Sequence, residues 1–302
     1  ENGDEVLYPN PGFPIYESMI EFCGGTAVPM RLGEENSFNL NIKEVETQIS
    51  EKTKLMIVNS PNNPCGSVID KKDLEALSKL AKENDITVLS DEIYSELTFE
   101  NNYKSISNYC PEQTIISSGL SKWCGAGGWR LGHFVIPNEL KKLRNSLKVL
   151  ASETFSSVSA PIQYAAIAAY KNDQSKYLET SRNILKTVGE YVYDNLKSNK
   201  VIINKPQGGF YLMPEFLDKK FQTSEAMCKD LLNNTGVVLL PGSDFGILKN
   251  KMIARLSFTD FNGEDFMKNV SNNENINLDF ISKFAPKIAE GTKRLKDWAK
   301  SN

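Results

Sequence analysis

Short apolar runs alternate with helical patterns along the first half of the chain, and this alternation limits the fold more than any other feature. Residues 54–59 (KLMIVN) have the continuous apolar pattern of a buried strand. Asp70 then stands where an N-cap would, with Asp73 three residues on, ahead of a helix that sets Leu74, Leu77, Leu80 and Ala81 on one face. Residues 5–8, 86–90, 113–118 and 129–136 read as further strands. Strand, helix and strand repeated in this way predict a mainly parallel sheet covered by helices. Such sheets bind ligands beyond the carboxyl ends of their strands.

Residues 160–196 predict one long helix, rich in alanine and free of proline after Pro161. Short strands follow at 201–203, 210–213, 237–240 and 252–258, with a helix at 224–233 and an amphipathic helical tail at 278–299. A chain of 302 residues suggests two domains at roughly 150 residues each. The expected fold is therefore α/β: residues 1–180 form a mainly parallel sheet with helices on both faces, and 181–302 form a smaller α+β C-terminal domain. The chain opens on Glu1-Asn2-Gly3-Asp4, without an initiator Met or targeting pattern, and runs straight into a strand, as though it starts inside a domain.

Several function classes are disfavoured. The net charge is −3 and the basic residues are scattered, so no nucleic-acid footprint is visible. No apolar run has the length of a membrane span. Five widely spaced cysteines without a CxxC read as reduced thiols of a cytoplasmic protein. The sequons at 233–235 and 269–271 then read as chance. His133 is the only histidine, which excludes a multi-histidine metal site, and it reads as a strand residue.

Three windows carry chemistry. In Ser121-Lys122-Trp123-Cys124-Gly125-Ala126-Gly127-Gly128-Trp129-Arg130, a lysine stands between a strand and a glycine-rich loop. Such an amine can form an imine with an aldehyde cofactor, and a following arginine can clamp a phosphate. The plain alternative is a surface lysine in a turn. Ser90-Asp91-Glu92-Ile93-Tyr94 puts a carboxylate at a strand end. It could keep a pyridine nitrogen protonated, making the ring an electron sink, or it could merely cap a helix. Asn59-Ser60-Pro61-Asn62-Asn63-Pro64-Cys65-Gly66 is a stiff loop able to aim the Asn63 amide, or an ordinary Pro/Asn turn.

Together and in this order, NPCG, DEIY and LSKWCGAGGWRLG resemble the class I/II aminotransferases, fold-type-I pyridoxal-phosphate-dependent enzymes of the aspartate aminotransferase type. Segments 207–212 and 239–246 extend the likeness over nearly the whole chain. The resemblance implies that Lys122 carries pyridoxal 5′-phosphate as a Schiff base and, once displaced by substrate, moves the proton at the substrate Cα. It implies that Asp91 faces the pyridine nitrogen, that Tyr94 and Asn63 bind the ring oxygen, and that Arg130 binds the phosphate. Phe13, in Asn10-Pro11-Gly12-Phe13-Pro14, would stack on the cofactor ring, and Arg255 would bind the substrate α-carboxylate.

The implied activity is ping-pong transfer of an amino group from an L-amino acid to a 2-oxo acid, in a homodimer. A β-lyase on the same site, a non-catalytic cofactor-sensing domain and an inactive fragment are the alternatives. Two departures stand out. Gly119 occupies the position where the family often has a phosphate-binding serine, leaving Ser118 or Ser121 as substitutes. The family's glycine/serine-rich phosphate loop should lie upstream of Phe13 and is absent, which implies an N-terminally truncated member.

Overall fold

The computed structural model describes residues 1–217, 220–270 and 278–301. Ser271, and with it the sequon at 269–271, lies outside the described residues. The first part of the chain runs β1 (Glu5–Asn10), α1 (Ile15–Phe22), β2 (Thr26–Gly33), β3 (Asn39–Leu40), α2 (Ile42–Gln48), β4 (Thr53–Asn59), α3 (Lys71–Glu83), β5 (Thr87–Asp91), β6 (Thr114–Gly119) and β7 (Gly132–Val135). Among the described residues these strands form one seven-stranded sheet in the order β3-β2-β1-β4-β5-β6-β7. The strands from β2 to β6 are mutually parallel, and β3 and β7 pair antiparallel at the two edges.

Alternate side chains divide between the two faces of this sheet. Leu7, Met56, Val58 and Val88 pack with Leu74, Leu77, Leu80 and Ala81 of α3. Tyr8 and Ile57 point the other way, onto Tyr16 and Ile20 of α1. Burying each such leucine or isoleucine stabilises the fold by about 1.5–3 kcal/mol. Helix α3 starts where the sequence places it, because Asp70 Oδ1 accepts the Asp73 backbone N–H at 2.8 Å.

The single helix expected over residues 160–196 is two. Helix α4 (Lys141–Thr154) precedes them, followed by α5 (Ala160–Lys171) and α6 (Ser175–Leu196). The break needs no proline: Asp173 Oδ1 accepts the Ser175 backbone N–H at 2.9 Å and so starts a new helix. The strand expected at 129–136 shortens to β7, since Arg130 has a left-handed backbone with φ of 56° and Gly127–Trp129 is a 3₁₀ turn.

The remaining elements are β8 (Val201–Ile202), β9 (Tyr211–Leu212), β10 (Glu215–Phe216), α7 (Ser224–Thr235), β11 (Leu240–Pro241), β12 (Ala254–Ser257), α8 (Gly263–Val270), α9 (Leu278–Phe284) and α10 (Pro286–Ser301). Strand β12 lies between β11 and β9, antiparallel to both. The tail expected as one helix divides at Pro286, which takes the first position of α10. Helices α6, α7 and α10 enclose a hydrophobic core with Val188, Met227, Leu231 and Leu295, distinct from the clusters against the large sheet. No described helix is long and apolar enough to cross a membrane.

Candidate active site

The parallel strands deliver their carboxyl ends to one place. The sheet's strand order reverses between β1 and β4, because β1 leads outward to β2 while β4 returns on its other side. Phe13 and Tyr16 follow β1, Asn63 follows β4, Asp91 ends β5 with Tyr94 just beyond, and Lys122 follows β6. Arg255 reaches the same region from β12.

Lys122 lies over a pair of adjacent rings, its Nζ 5.7 Å from the Tyr94 centroid and 5.6 Å from that of Phe210. Burial lowers its pKa, and the Arg255 and Arg130 charges lower it further, against an opposing pull from Asp91. A lysine so placed more readily presents the neutral amine that attacks a carbonyl.

Asp91 is held from two sides. Tyr16 Oη donates to Oδ2 at 2.5 Å, and the Ile93 backbone N–H donates to Oδ1 at 3.2 Å. Burial raises its pKa, while those two hydrogen bonds and the Lys122 charge restrain the rise. The bond to Ile93 shows that Asp91 also does local turn-capping work. The Tyr16 bond goes beyond that local role. Tyr16 is itself buried, and its phenol is pushed well above the usual range by burial and then by Asp91. Phe13 meets Tyr16 edge-on at 5.8 Å and keeps 42 % of its surface exposed.

Asn59 ties the loops together. Its Nδ2 donates to the Asp91 carbonyl at 3.1 Å, and its Oδ1 accepts the Asn63 backbone N–H at 2.9 Å. Asn63 Oδ1 in turn accepts from Arg255 Nη1 at 2.9 Å. The Arg255 guanidinium lies 4.4 Å from the Tyr211 ring centroid and 4.6 Å from that of Phe245. Tyr94 is buried and shares a 3.2 Å hydrogen bond with Tyr211 Oη. Arg130 is exposed, with Nη1 donating to the Gly127 carbonyl at 2.6 Å.

Lys122, Asp91, Tyr94, Asn63 and Arg255 are thus joined by short contacts or by their fields, and Arg130 reaches Lys122 through its charge. Tyr16, Asn59 and Tyr211 were not singled out from the sequence. Tyr16 stands three residues after Phe13, and nothing local to it points to a carboxylate 75 residues away. Tyr211 lies in the recognised segment 207–212 but carries no charge to draw notice.

Gly119 has a structural reason. A Cβ there would come 2.6 Å from the Leu131 carbonyl oxygen and 3.0 Å from Gly132 Cα, so the β6–β7 pairing leaves no room for a serine. Gly66 is similarly fixed: its φ is 70°, and a Cβ would come 2.8 Å from the Tyr211 carbonyl oxygen. His133 sits in β7 as expected, beside Tyr170 at 3.3 Å, and burial lowers its pKa. Among the described residues no cluster could hold a metal ion, and all five cysteines are free.

With this geometry established, residues 1–265 match the family model described as "Aminotransferase class I and II", and the chain belongs to that family. It is 36 % identical over 257 residues to a probable N-acetyl-LL-diaminopimelate aminotransferase of Bacillus subtilis, covering 85 % of this chain and 63 % of that protein. It is 35 % identical to an aspartate aminotransferase of Pyrococcus abyssi, covering 82 % of this chain and 63 % of the relative. The chain therefore spans less than two thirds of the length of these curated relatives. An alanine aminotransferase structure from Pyrococcus furiosus superposes with a TM-score of 0.84 at 30 % identity, over 100 % of this chain and 72 % of that one. An aspartate aminotransferase from Thermus thermophilus with maleate gives 0.83 at 27 % identity, over 98 % and 70 %. The fold is that of the aspartate aminotransferase-like enzymes, a mainly parallel sheet with helices on both faces.

Proposed function

We propose that this chain carries the chemical centre of a pyridoxal-phosphate-dependent aminotransferase that moves an amino group from an L-amino acid to a 2-oxo acid. The observation that carries the reading is a lysine of lowered pKa set over two adjacent aromatic rings, with the half-buried Asp91 carboxylate and the Arg255 guanidinium converging on it. The donor set fits the cofactor: an amine for its aldehyde, Asp91 for its pyridine nitrogen, Tyr94 and Asn63 for its ring oxygen, Arg130 for its phosphate, and the partly exposed Phe13 for its ring. Pyridoxal phosphate, when bound, supplies an aldehyde that condenses with amines and a pyridinium that accepts the electron pair of a departing proton.

The chain's own residues do the rest. Asp91, kept in place by Tyr16 and Ile93, offers a negative charge that holds a proton on the pyridine nitrogen. Arg255 can present its free guanidinium N–H groups to the substrate α-carboxylate, and Asn63 orients it. Freed from the aldehyde, Lys122 Nζ would be the base that takes the substrate Cα proton and holds it for return. The oxo acid made from the donor would leave before a second oxo acid enters to take up the amino group, a ping-pong order.

The separate core around α6, α7 and α10 supports a second domain beginning near residue 181, although α6 runs through that boundary. Exposed apolar side chains on β7, α4 and α5 support pairing with a second copy of the chain. The free cysteines support a reducing, cytoplasmic setting. The test is transaminase turnover with an amino-donor and oxo-acid panel. Lys122→Ala should lower kcat by about 100- to 10,000-fold and abolish borohydride trapping of cofactor on the chain. Undiminished turnover in that variant refutes the reading. Release of ammonia without an oxo acid would point to a lyase.

A further inference from the structure

Tyr211 touches both polar arms of the site at once. Its hydroxyl lies 3.2 Å from that of Tyr94, and its ring lies under the Arg255 guanidinium at 4.4 Å. Arg255 in turn donates to Asn63. The two groups assigned to the cofactor's ring oxygen, Tyr94 and Asn63, are therefore each connected to Tyr211, one directly and one through Arg255.

Its position is tightly fixed. The strip from Gln207 to Tyr211 is tied on both sides: Gln207 N and Gly208 N donate to the Gly66 carbonyl at 3.0 and 3.1 Å, while Phe99 N donates to Gln207 O at 3.0 Å and Gly209 N to Leu97 O at 3.1 Å. Tyr211 is buried and packs edge-on against Tyr94.

Proton counting gives the bond a direction. A phenol has one proton to donate. If Tyr94 donates its proton to the cofactor's ring oxygen, the Tyr94–Tyr211 bond survives only with Tyr211 as donor. A hydroxyl that accepts a hydrogen bond becomes a stronger donor in the next one. We propose that Tyr211 is a positioning residue that orients and strengthens Tyr94 as a donor through its hydroxyl and supports Arg255 through its ring, coupling the cofactor contact to the substrate-carboxylate contact.

This rests on the cofactor reading above, and the experiment separates the two. The cofactor-loaded parent protein, Tyr211→Phe and Tyr211→Leu are titrated by visible absorbance, and KM is measured for amino donor and oxo acid. A weakened Tyr94 leaves more negative charge on the ring oxygen, which holds the neighbouring proton on Lys122 Nζ more tightly. Tyr211→Phe, which keeps the ring, should therefore raise the midpoint of the absorbance change by about half to one pH unit while leaving KM within about twofold. Tyr211→Leu should show that shift and also raise KM by about tenfold, as Arg255 loses the ring beneath it. A purely structural role would lower thermal stability without moving the midpoint in Tyr211→Phe. An unmoved midpoint in that variant, with the parent titrating, overturns the proposal and leaves Lys122 in its role. A parent protein that binds no absorbing cofactor overturns the cofactor reading and this proposal together.

Discussion

Asp91 shows how a site residue can work against the fold that holds it. Its pKa is raised from the ordinary 3.8, chiefly by burial. A carboxyl whose folded-state value is raised contributes stability that is fully present below the unfolded value and is lost as pH climbs through the folded one. Wherever the pH lies above that folded-state value, the ionised Asp91 therefore destabilises the cofactor-free protein. Asp91→Asn should raise the Tm of that form at pH 7, and the gain should vanish as the pH falls below the ordinary aspartate value. If Asp91 faces the pyridine nitrogen as proposed, the same variant should bind cofactor more weakly, because that nitrogen loses its anionic partner. A cofactor-free Asn variant no more stable than the parent at pH 7 would show that the Tyr16 and Ile93 hydrogen bonds already offset the burial. The residues legible in the sequence were those with distinctive chemistry in a motif, such as Lys122, Asp91 and Arg255. Tyr16, Asn59 and Tyr211 act through partners distant along the chain, and no periodicity or spacing reports a contact of that kind.

Strands β4, β5 and β6 and helix α3 were legible because their signals are local: continuous apolar runs, and a capping aspartate before an apolar stripe. The break between α5 and α6 was missed because it is marked by a hydrogen bond that the Ser175 backbone N–H donates to Asp173 Oδ1, whereas alanine-rich sequence on the N-terminal side argues for continuity. Helix α4 carries Leu143, Leu147 and Leu150 at helical spacing, yet none of its residues is buried in the chain, so its apolar stripe has no partner in the described fold to mark it. The β6–β7 pair shows what tight antiparallel pairing demands of a residue. Gly119 faces Gly132 across the ladder, and the Leu131 carbonyl occupies the space a side chain would need. Gly119→Ser should destabilise the protein by about 1–3 kcal/mol, read by denaturant titration. A neutral result would mean that β7 shifts outward easily, as its exposed position allows.

The molecule buries its apolar surface unevenly. Phe134, Val135, Val149, Leu150 and Tyr164 are 58, 54, 63, 57 and 75 % exposed, and all lie on β7, α4 and α5. Isolated apolar residues on a surface need no explanation, but their recurrence on three elements that follow one another along the chain supports the contact face proposed above. With pairing of two copies proposed there, Val149→Glu should shift the sedimentation of the protein from dimer toward monomer while leaving its circular dichroism unchanged. A dimer indifferent to that change would move the interface elsewhere.

The doubly tied strip from Gln207 to Tyr211 bears on rigidity as well as on chemistry. Elements that follow it are tied to the large-sheet part at further points, since Gly12 N donates to the Phe245 carbonyl at 3.1 Å and Ile253 packs in one cluster with Met56 and Val88. The strip is thus one stitch in a seam, and the seam keeps the Tyr211 phenol and the Arg255 guanidinium in fixed register with the loops that follow β4 and β5.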